Sequence, residues 1–464
     1  MSQRFDVVVI GGGPGGSTAA IRAAELQAKV ALVERDQIGG TCLNVGCIPT
    51  KALIGSAEAY RLALQGAELG LGIPQVSFDL GRALERKQAI VEKLKGDIED
   101  SLSFRRVQIL RGEATLLQPD RIQVQTGQQT QLIEAGRIIL ATGSEAGRPP
   151  LDGRDLPGVI TSTEALSLER VPSSMVIIGA GAIGIEIACL YNALGTDVTV
   201  IEVLPSILPT VDEEIGRYLR ALLRRAGVRI YSGTRVQEIG YADSGQKRIV
   251  MESAAGVREV EADLVLLATG RRPYTAGLNL GGLGVEMARG AVVVDERLKT
   301  SAEGIYAVGD VTGRLMLAHV ASAQGRAAAE NALGHMTPFD YRSVPNCIFC
   351  RPEIATVGLT EVEAREAGFS ISLGKANFMA NGRAMALGES SGLVKLVCET
   401  ESNRLLGAHI IGPRATDLIG EAALAIHMQA TAQDLVRTIH AHPTLSEAIM
   451  EAAQKVGDFS SQSR

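Results

Sequence analysis

The feature that most constrains this chain is a strand–turn–helix–strand unit that occurs twice. Val7-Val8-Val9-Ile10 has the unbroken apolar character of a strand buried on both faces. It runs into Gly11-Gly12-Gly13-Pro14-Gly15-Gly16, then an Ala-rich helical stretch, then Val30-Ala31-Leu32-Val33-Glu34. In the same way Val176-Ile177-Ile178 leads through Gly179-Ala180-Gly181-Ala182-Ile183-Gly184 and a helix to Val198-Thr199-Val200-Ile201-Glu202. In both copies the glutamate lies 23 positions after the first glycine.

Each glycine of such a unit has its own physical task. The first (Gly11, Gly179) permits the tight turn, the second (Gly13, Gly181) lets backbone approach a pyrophosphate, and the third (Gly16, Gly184) allows close helix–strand packing. The helix N-terminus then offers free N–H groups and positive dipole to phosphate. Glu34 and Glu202, each ending a second strand, are suited to accept hydrogen bonds from an adenosine ribose and to repel a 2′-phosphate. A single glycine pattern also marks ordinary tight turns. Two copies with matching glutamates predict two dinucleotide sites. Each module closes on an apolar strand and an Ala-Thr-Gly turn, Ile138 to Thr142-Gly143 and Leu266 to Thr269-Gly270, and Thr142, Gly143 and Gly270 are counted with the nucleotide sites.

A chain of 464 residues exceeds what one core usually supports, so several domains are expected. The net charge of −6 and the scattered basic residues speak against a nucleic-acid surface. The first strand follows closely on the N-terminus, and no apolar run approaches the ~18 residues of a membrane span. The expectation is a cytoplasmic protein that binds neither nucleic acid nor membrane. Six cysteines at irregular spacing do not form a secreted disulfide framework, so a pair that oxidises is expected to be catalytic.

That pair is sought in an insertion of the first module beginning near Gly39: Gly39-Gly40-Thr41-Cys42-Leu43-Asn44-Val45-Gly46-Cys47-Ile48-Pro49-Thr50-Lys51. Cysteines five apart face directions roughly 140° apart on a regular helix, so joining them requires distorted backbone, to which Gly46 and Pro49 are suited. Burial as structural thiols is the common fate of free cysteine. Flanking glycines, a following lysine and the surrounding nucleotide module point instead to a reactive pair. Cys347-Ile348-Phe349-Cys350 has C-x-x-C spacing but lies in a strand-like run, where odd-spaced side chains face opposite ways. Those two cysteines, with Cys189 and Cys398, are read as packing residues, and no metal site is expected.

The cysteine segment resembles the active-site segment of the pyridine nucleotide–disulfide oxidoreductases, and the resemblance extends over essentially the whole chain. Thr300 to Asp310 resembles the family's second FAD segment, and Tyr341 onward resembles its dimerisation domain. The implied fold is α/β: two Rossmann-like dinucleotide-binding domains plus a C-terminal α+β dimerisation domain. Its implied parts are 1–149 binding FAD, 150–275 binding NAD, 276–340 completing the FAD site, and 341–464 forming the dimer. By the same resemblance Cys42 would meet substrate, Cys47 would lie against the flavin, Asp310 would hold the ribitol, and Lys51 and Glu186 would pair beside the ring. In Ile439-His440-Ala441-His442-Pro443-Thr444-Leu445-Ser446-Glu447, His442 would be the acid–base group, oriented by Glu447, and His440 would be structural. The implied assembly is a homodimer whose active sites are shared between subunits.

Within the family, Glu202 is followed by Val203-Leu204-Pro205 with no arginine for a 2′-phosphate, which predicts NAD rather than NADP. The chain ends at 458–464 without a cysteine pair, which weakens the likeness to the mercuric-reductase branch, and the His442 segment fits the lipoamide branch better. The implied activity is oxidation of protein-bound dihydrolipoamide with reduction of NAD, through a Cys42–Cys47 disulfide and FAD. The alternatives are a glutathione- or mercuric-reductase-like enzyme and a non-catalytic, flavin-bearing assembly subunit. One departure is Gln324, where the lipoamide branch usually has glutamate. It leaves the chemistry intact, and whether it bears on the choice of partner stays open.

Overall fold

The computed structural model describes residues 3–457, so the stretch read for a terminal cysteine pair lies outside the described residues. The chain forms two compact units. One takes the chain up to Arg148 together with Thr161–Arg170 and Gly270–Asp340. The other takes Pro149–Ile160, Val171–Thr269 and the chain from Tyr341 onward.

In the first unit, apolar strands Gln3–Ile10, Val30–Glu34 and Gln108–Arg111 lie parallel. Gln129–Leu140 joins them in parallel on the other side of Gln3–Ile10 and carries Ile305–Ala307 beyond it. An antiparallel pair, Arg121–Thr126 and Glu113–Gln118, completes a seven-stranded sheet. The closing strand is longer than its apolar stretch from Ile138, because Gln129 to Glu134 pairs with Arg121–Thr126, where Gln129 to Leu132 stay exposed. Val7, Val9 and Leu32 on one face and Val8, Ile10 and Val33 on the other are all buried, which is why these strands read as continuous apolar runs. Helices Gly40–Val45, Cys47–Leu64 and Leu80–Phe104 form the insertion between Val30–Glu34 and Gln108–Arg111.

The second unit repeats the parallel design. Its sheet runs Arg229–Ser232, Asp197–Glu202, Ser174–Ile178, Leu264–Leu267 and Val159–Ile160, all parallel. A three-stranded antiparallel meander covers Thr234 to Ala262. From Asn346 the chain forms a five-stranded antiparallel sheet backed by helices Ala415–His427 and Glu447–Gln454, with a core that includes Phe378, Leu396, Ile410 and Ile449. The fold is thus α/β with two Rossmann-like modules and an α+β C-terminal domain. Among the described residues no helix is long and apolar enough to cross a membrane.

Within this unit a buried charge cluster ties the second module's helix Glu213–Arg225 to the C-terminal sheet. Lys395, with 3% of its side chain exposed, lies 2.9 Å from Asp212, 2.9 Å from Glu361 and 3.3 Å from Glu214. Asp212 also caps the helix by accepting from the Glu214 N–H at 3.1 Å. Burial pushes the Lys395 ammonium down, but hydrogen bonds to Asp212 and Glu361 outweigh it and hold the group above the ordinary lysine value. Removing the cation would strand Asp212 as a buried, uncompensated charge. Lys395→Met is therefore expected to destabilise the protein by about 3–5 kcal/mol. The check is the shift of its denaturant midpoint, and an unshifted midpoint would show the cluster to be energetically idle.

Candidate functional site

The two glycine turns are built alike. A Cβ on Gly16 would lie 1.8 Å from the Gly11 carbonyl oxygen, and one on Gly184 would lie 2.1 Å from that of Gly179, so only glycine allows either helix to start this close to its strand. The middle glycines differ. A Cβ on Gly181 would meet nothing within 4 Å and one on Gly13 only the Gly40 Cα at 4.0 Å, so the chain itself leaves the space before these turns clear. Helices Pro14–Glu25 and Ala182–Ala193 begin there with no side-chain cap, their first N–H groups available to a phosphate. This arrangement fits a dinucleotide in each module.

Both glutamates are bonded to their own turns, a feature that the spacing alone did not disclose. Glu34 accepts from the Gly12 N–H at 2.6 Å and the Asp36 N–H at 2.8 Å. Glu202 accepts from the Ala180 N–H at 2.7 Å and the Leu204 N–H at 2.8 Å. Each carboxylate is buried and fixed at the mouth of its turn, with acceptor capacity remaining on both oxygens.

At the close of the first module Thr142 donates its hydroxyl to the Tyr274 carbonyl at 2.6 Å, and Gly143 takes φ +69°. Sequence reasoning missed a polar network around Asp310. Ser144 donates to the Asp310 carboxylate, and Arg271 donates to the Ser144 hydroxyl and carbonyl, both at 2.7 Å. The signal was available: Ser144 and Arg271 each follow an Ala-Thr-Gly turn, the second of which ends at Gly270 with φ +117°. Tyr274 was missed too, and the Arg35 guanidinium lies 4.1 Å from its ring centre.

The cysteine segment forms two helices, Gly40–Val45 and Cys47–Leu64, broken at Gly46 with φ −141° and ψ −111°. A Cβ on Gly46 would stand 2.8 Å from the Thr41 carbonyl oxygen, so glycine is required at the break. Asn44 braces the short helix by donating to the Ile38 and Gly40 carbonyls at 3.0 and 2.9 Å. The expected distortion therefore falls at Gly46 alone. Pro49 lies in the regular first turn of the second helix, where its missing N–H costs nothing. The break brings the Cys42 and Cys47 side chains into hydrogen-bond contact. That contact and burial push the Cys42 thiol well up, against the pull of the Lys51 ammonium and the Cys47 backbone N–H. Cys47 is exposed and starts an 18-residue helix, whose positive end favours thiolate. Lys51 lies one turn further along the same helix.

The other described thiols sit in different surroundings. Burial pushes Cys189 up to about 11 and Cys398 up to about 12, and holds Cys350 well above the ordinary range. Cys347 is half-buried against the C-terminal core. Among the described residues no group of three or more His, Cys, Asp or Glu could hold a metal ion.

Glu186 and the histidine segment lie in the second unit. Glu186 is buried in helix Ala182–Ala193 and accepts from the Phe349 N–H at 2.9 Å. His440 has both ring nitrogens engaged, by the Thr438 carbonyl at 2.9 Å and Glu421 at 2.8 Å, with 4% of its side chain exposed. His442 is 79% exposed and engages Glu447 through Nδ1 at 2.9 Å. The second Glu447 oxygen accepts from the Thr444 N–H at 2.8 Å. Gln324 is only 1% exposed, so a docking protein does not touch it directly.

Residues 5–325 match the family described as pyridine nucleotide-disulphide oxidoreductase, and residues 344–453 match its dimerisation domain. A dihydrolipoyl dehydrogenase of Chlorobaculum parvum is 41% identical over 455 residues, covering 97% of each chain. The crystal structure of LpdA from Mycobacterium tuberculosis is similar with a TM-score of 0.89 at 30% identity, over 97% of this chain and 99% of that one. The Cu(II) complex of the HOCl-induced flavoprotein disulfide reductase RclA from Escherichia coli matches with a TM-score of 0.87 at 30% identity, over 98% and 99%.

The Thr444 N–H first, and His442 second, hold the Glu447 carboxyl below the ordinary carboxylate range. His442→Ala should therefore let that carboxyl rise only part of the way back, because the Thr444 bond survives. A carboxyl-resolved NMR titration checks this, and a full return would show the histidine to be the dominant cause.

Proposed function

The chain belongs to the pyridine nucleotide-disulphide oxidoreductase family, and from that membership we propose that it oxidises protein-bound dihydrolipoamide with reduction of NAD. One observation carries the reading: two cysteines meet across a glycine break at a helix start, with a lysine one turn on, inside a dinucleotide module. On this reading Gly11, Gly13, Gly16, Glu34, Thr142, Gly143 and Asp310 hold FAD, and Gly179, Gly181, Gly184, Glu202 and Gly270 serve NAD. FAD, when bound, supplies the relay of an electron pair from a dithiol to the nicotinamide. Lys51 and Glu186 are read as the ion pair flanking it.

The chain's own residues perform the sulfur exchange. His442, its imidazolium stabilised by Glu447, takes the proton of an incoming dihydrolipoyl thiol. The resulting thiolate attacks Cys42 of the Cys42–Cys47 disulfide, and Cys47 leaves as a thiolate favoured by the helix end and Lys51. The second lipoyl thiol then attacks the mixed disulfide, closing the lipoyl ring and releasing Cys42. A thiol that is to lie against a flavin has to be left uncovered by the chain, as Cys47 is. The name of the 41%-identical relative, and the His442–Glu447 pair, favour a lipoyl substrate. The likeness to RclA favours a second reading, reduction of another disulfide or of a metal ion. An idle assembly subunit would have no use for the Cys42, Cys47, Lys51, His442 and Glu447 set.

The dimerisation domain supports a homodimer, and its Leu424, Met428 and Ile439 are exposed apolar side chains of the kind a subunit interface covers. We read each site as joining Cys42 and Cys47 of one subunit to His442 of the other.

The test is to mix FAD-loaded protein with dihydrolipoamide and NAD and follow NADH absorbance. Turnover should appear, should vanish in Cys42→Ser and Cys47→Ser while FAD stays bound, and should be far weaker with NADP because of Glu202. Silence of the wild type, or full turnover in either serine variant, would overturn the reading. Sharing of sites has its own check. Cys42→Ala and His442→Ala proteins, inactive alone, are refolded together so that about half the dimers are mixed, each with one intact site. Activity should return to roughly a quarter of wild type. Verified mixed dimers without activity would place each site within one chain.

A further inference from the structure

Gln324 is a buried polar side chain that the exchange chemistry leaves without a task. It stands in helix Ala318–Ala332, next to Gly325. A Cβ on Gly325 would lie 2.2 Å from the Gly15 carbonyl oxygen, and one on Gly15 would lie 3.0 Å from the Ala321 carbonyl oxygen. These two glycines let this helix press backbone to backbone against Pro14–Glu25, the helix that starts at the first glycine turn. The close approach carries Gln324 to the turn Gly309–Thr312, where its Oε1 accepts from the Gly309 N–H at 2.7 Å. Gly309 has φ +73° and immediately precedes Asp310. The same helix therefore touches both halves of the first nucleotide site: the glycine turn through Gly15, and the Asp310 turn through Gln324.

We propose that Gln324 is a positioning residue for the flavin, fixing through Gly309 the turn that presents Asp310, and that it acts through its acceptor oxygen. The inference rests on reading Asp310 as a group that holds FAD. Gly309 is buried, so losing the acceptor of its N–H would leave that group unsatisfied and free the turn to move. Asp310 would still be tied to Ser144, but its carboxylate would no longer be fixed from the backbone side. A carboxylate at 324 offers the same acceptor geometry, whereas a thioether of similar length offers none worth the name.

The experiment measures FAD affinity rather than turnover. Apoprotein of the wild type, Gln324→Met and Gln324→Glu is titrated with FAD and followed by flavin fluorescence, with circular dichroism reporting the fold of each apoprotein. Gln324→Met should bind FAD roughly 10- to 100-fold more weakly, the cost of one unsatisfied buried donor. Gln324→Glu should bind within about threefold of wild type. If Gln324→Met does not fold, Gln324→Asn, which keeps the amide but withdraws it by one carbon, takes its place with the same expected loss. Undiminished FAD affinity in a folded Gln324→Met or Gln324→Asn protein overturns the proposal, as does a loss in Gln324→Glu as large as that in Gln324→Met. A wild type that takes up no FAD would instead sink the reading of Asp310, so the two failures are distinguishable.

Discussion

The constraint on which the rest of this structure depends is the contact between each glycine turn and the carboxylate at the end of the neighbouring strand. Gly16 and Gly184 allow helix to start against strand at a separation no side chain could share, and that leaves a backbone N–H at each turn, Gly12 or Ala180, facing the sheet. An unpaired N–H there would be costly, and Glu34 and Glu202 satisfy it with one carboxylate oxygen each. The same bond anchors the glutamate at the mouth of the turn. The spacing of 23 residues between first glycine and glutamate is therefore a folding requirement before it is a ligand specificity, and it has to hold in both modules.

A second use of glycine brings one pair of sulfurs together. Burial is the main cause that raises the thiols of Cys189, Cys350 and Cys398, and Cys42 is raised as well, so geometry rather than burial sets one pair apart. Cys42 and Cys47 differ because Gly46 interrupts the helix between them, turning a five-residue spacing into a contact and setting Cys47 at the positive end of a long helix. Lys51 adds a cation one turn further on. The asymmetry within the pair follows: the partner thiol weighs on Cys42, whereas Cys47 stands at a helix start, whose positive end favours thiolate.

What could be read from the sequence was what lies close together along it. The parallel strands were legible because both of their faces are buried, and the turns because glycine is the only residue that fits Gly16 or Gly184. The helix break was legible as a need for distortion, but its place was not, since Pro49 is as suited to disturb a helix as to start one. The extent of the closing strand was missed because Gln129 to Leu132, which pair antiparallel with neighbouring residues, are exposed and mostly polar, with no apolar period to mark a strand. His440 and His442 were told apart by the resemblance of their segment to the family's. In space they are told apart by burial and by the number of ring nitrogens already engaged.

The parts that escaped the sequence share one property, which is distance along the chain. Ser144, Arg271 and Asp310 form one polar network from three segments, Arg271 lying 127 residues and Asp310 lying 166 residues beyond Ser144. No local periodicity can announce a contact of that separation. The fold makes it because the chain leaves the first module at Gly143, builds the second, and rejoins the first unit at Gly270, so the residues following the two Ala-Thr-Gly turns run antiparallel and pair, Arg271 with Ala146 and Pro273 with Ser144. Arg271 then places a guanidinium 3.9 Å from the Asp310 carboxylate with Ser144 as the hydrogen-bonded bridge between them. The strand Arg271–Pro273 follows the second module in sequence but belongs to the first unit, so a contact between residues 127 positions apart is local to one compact body.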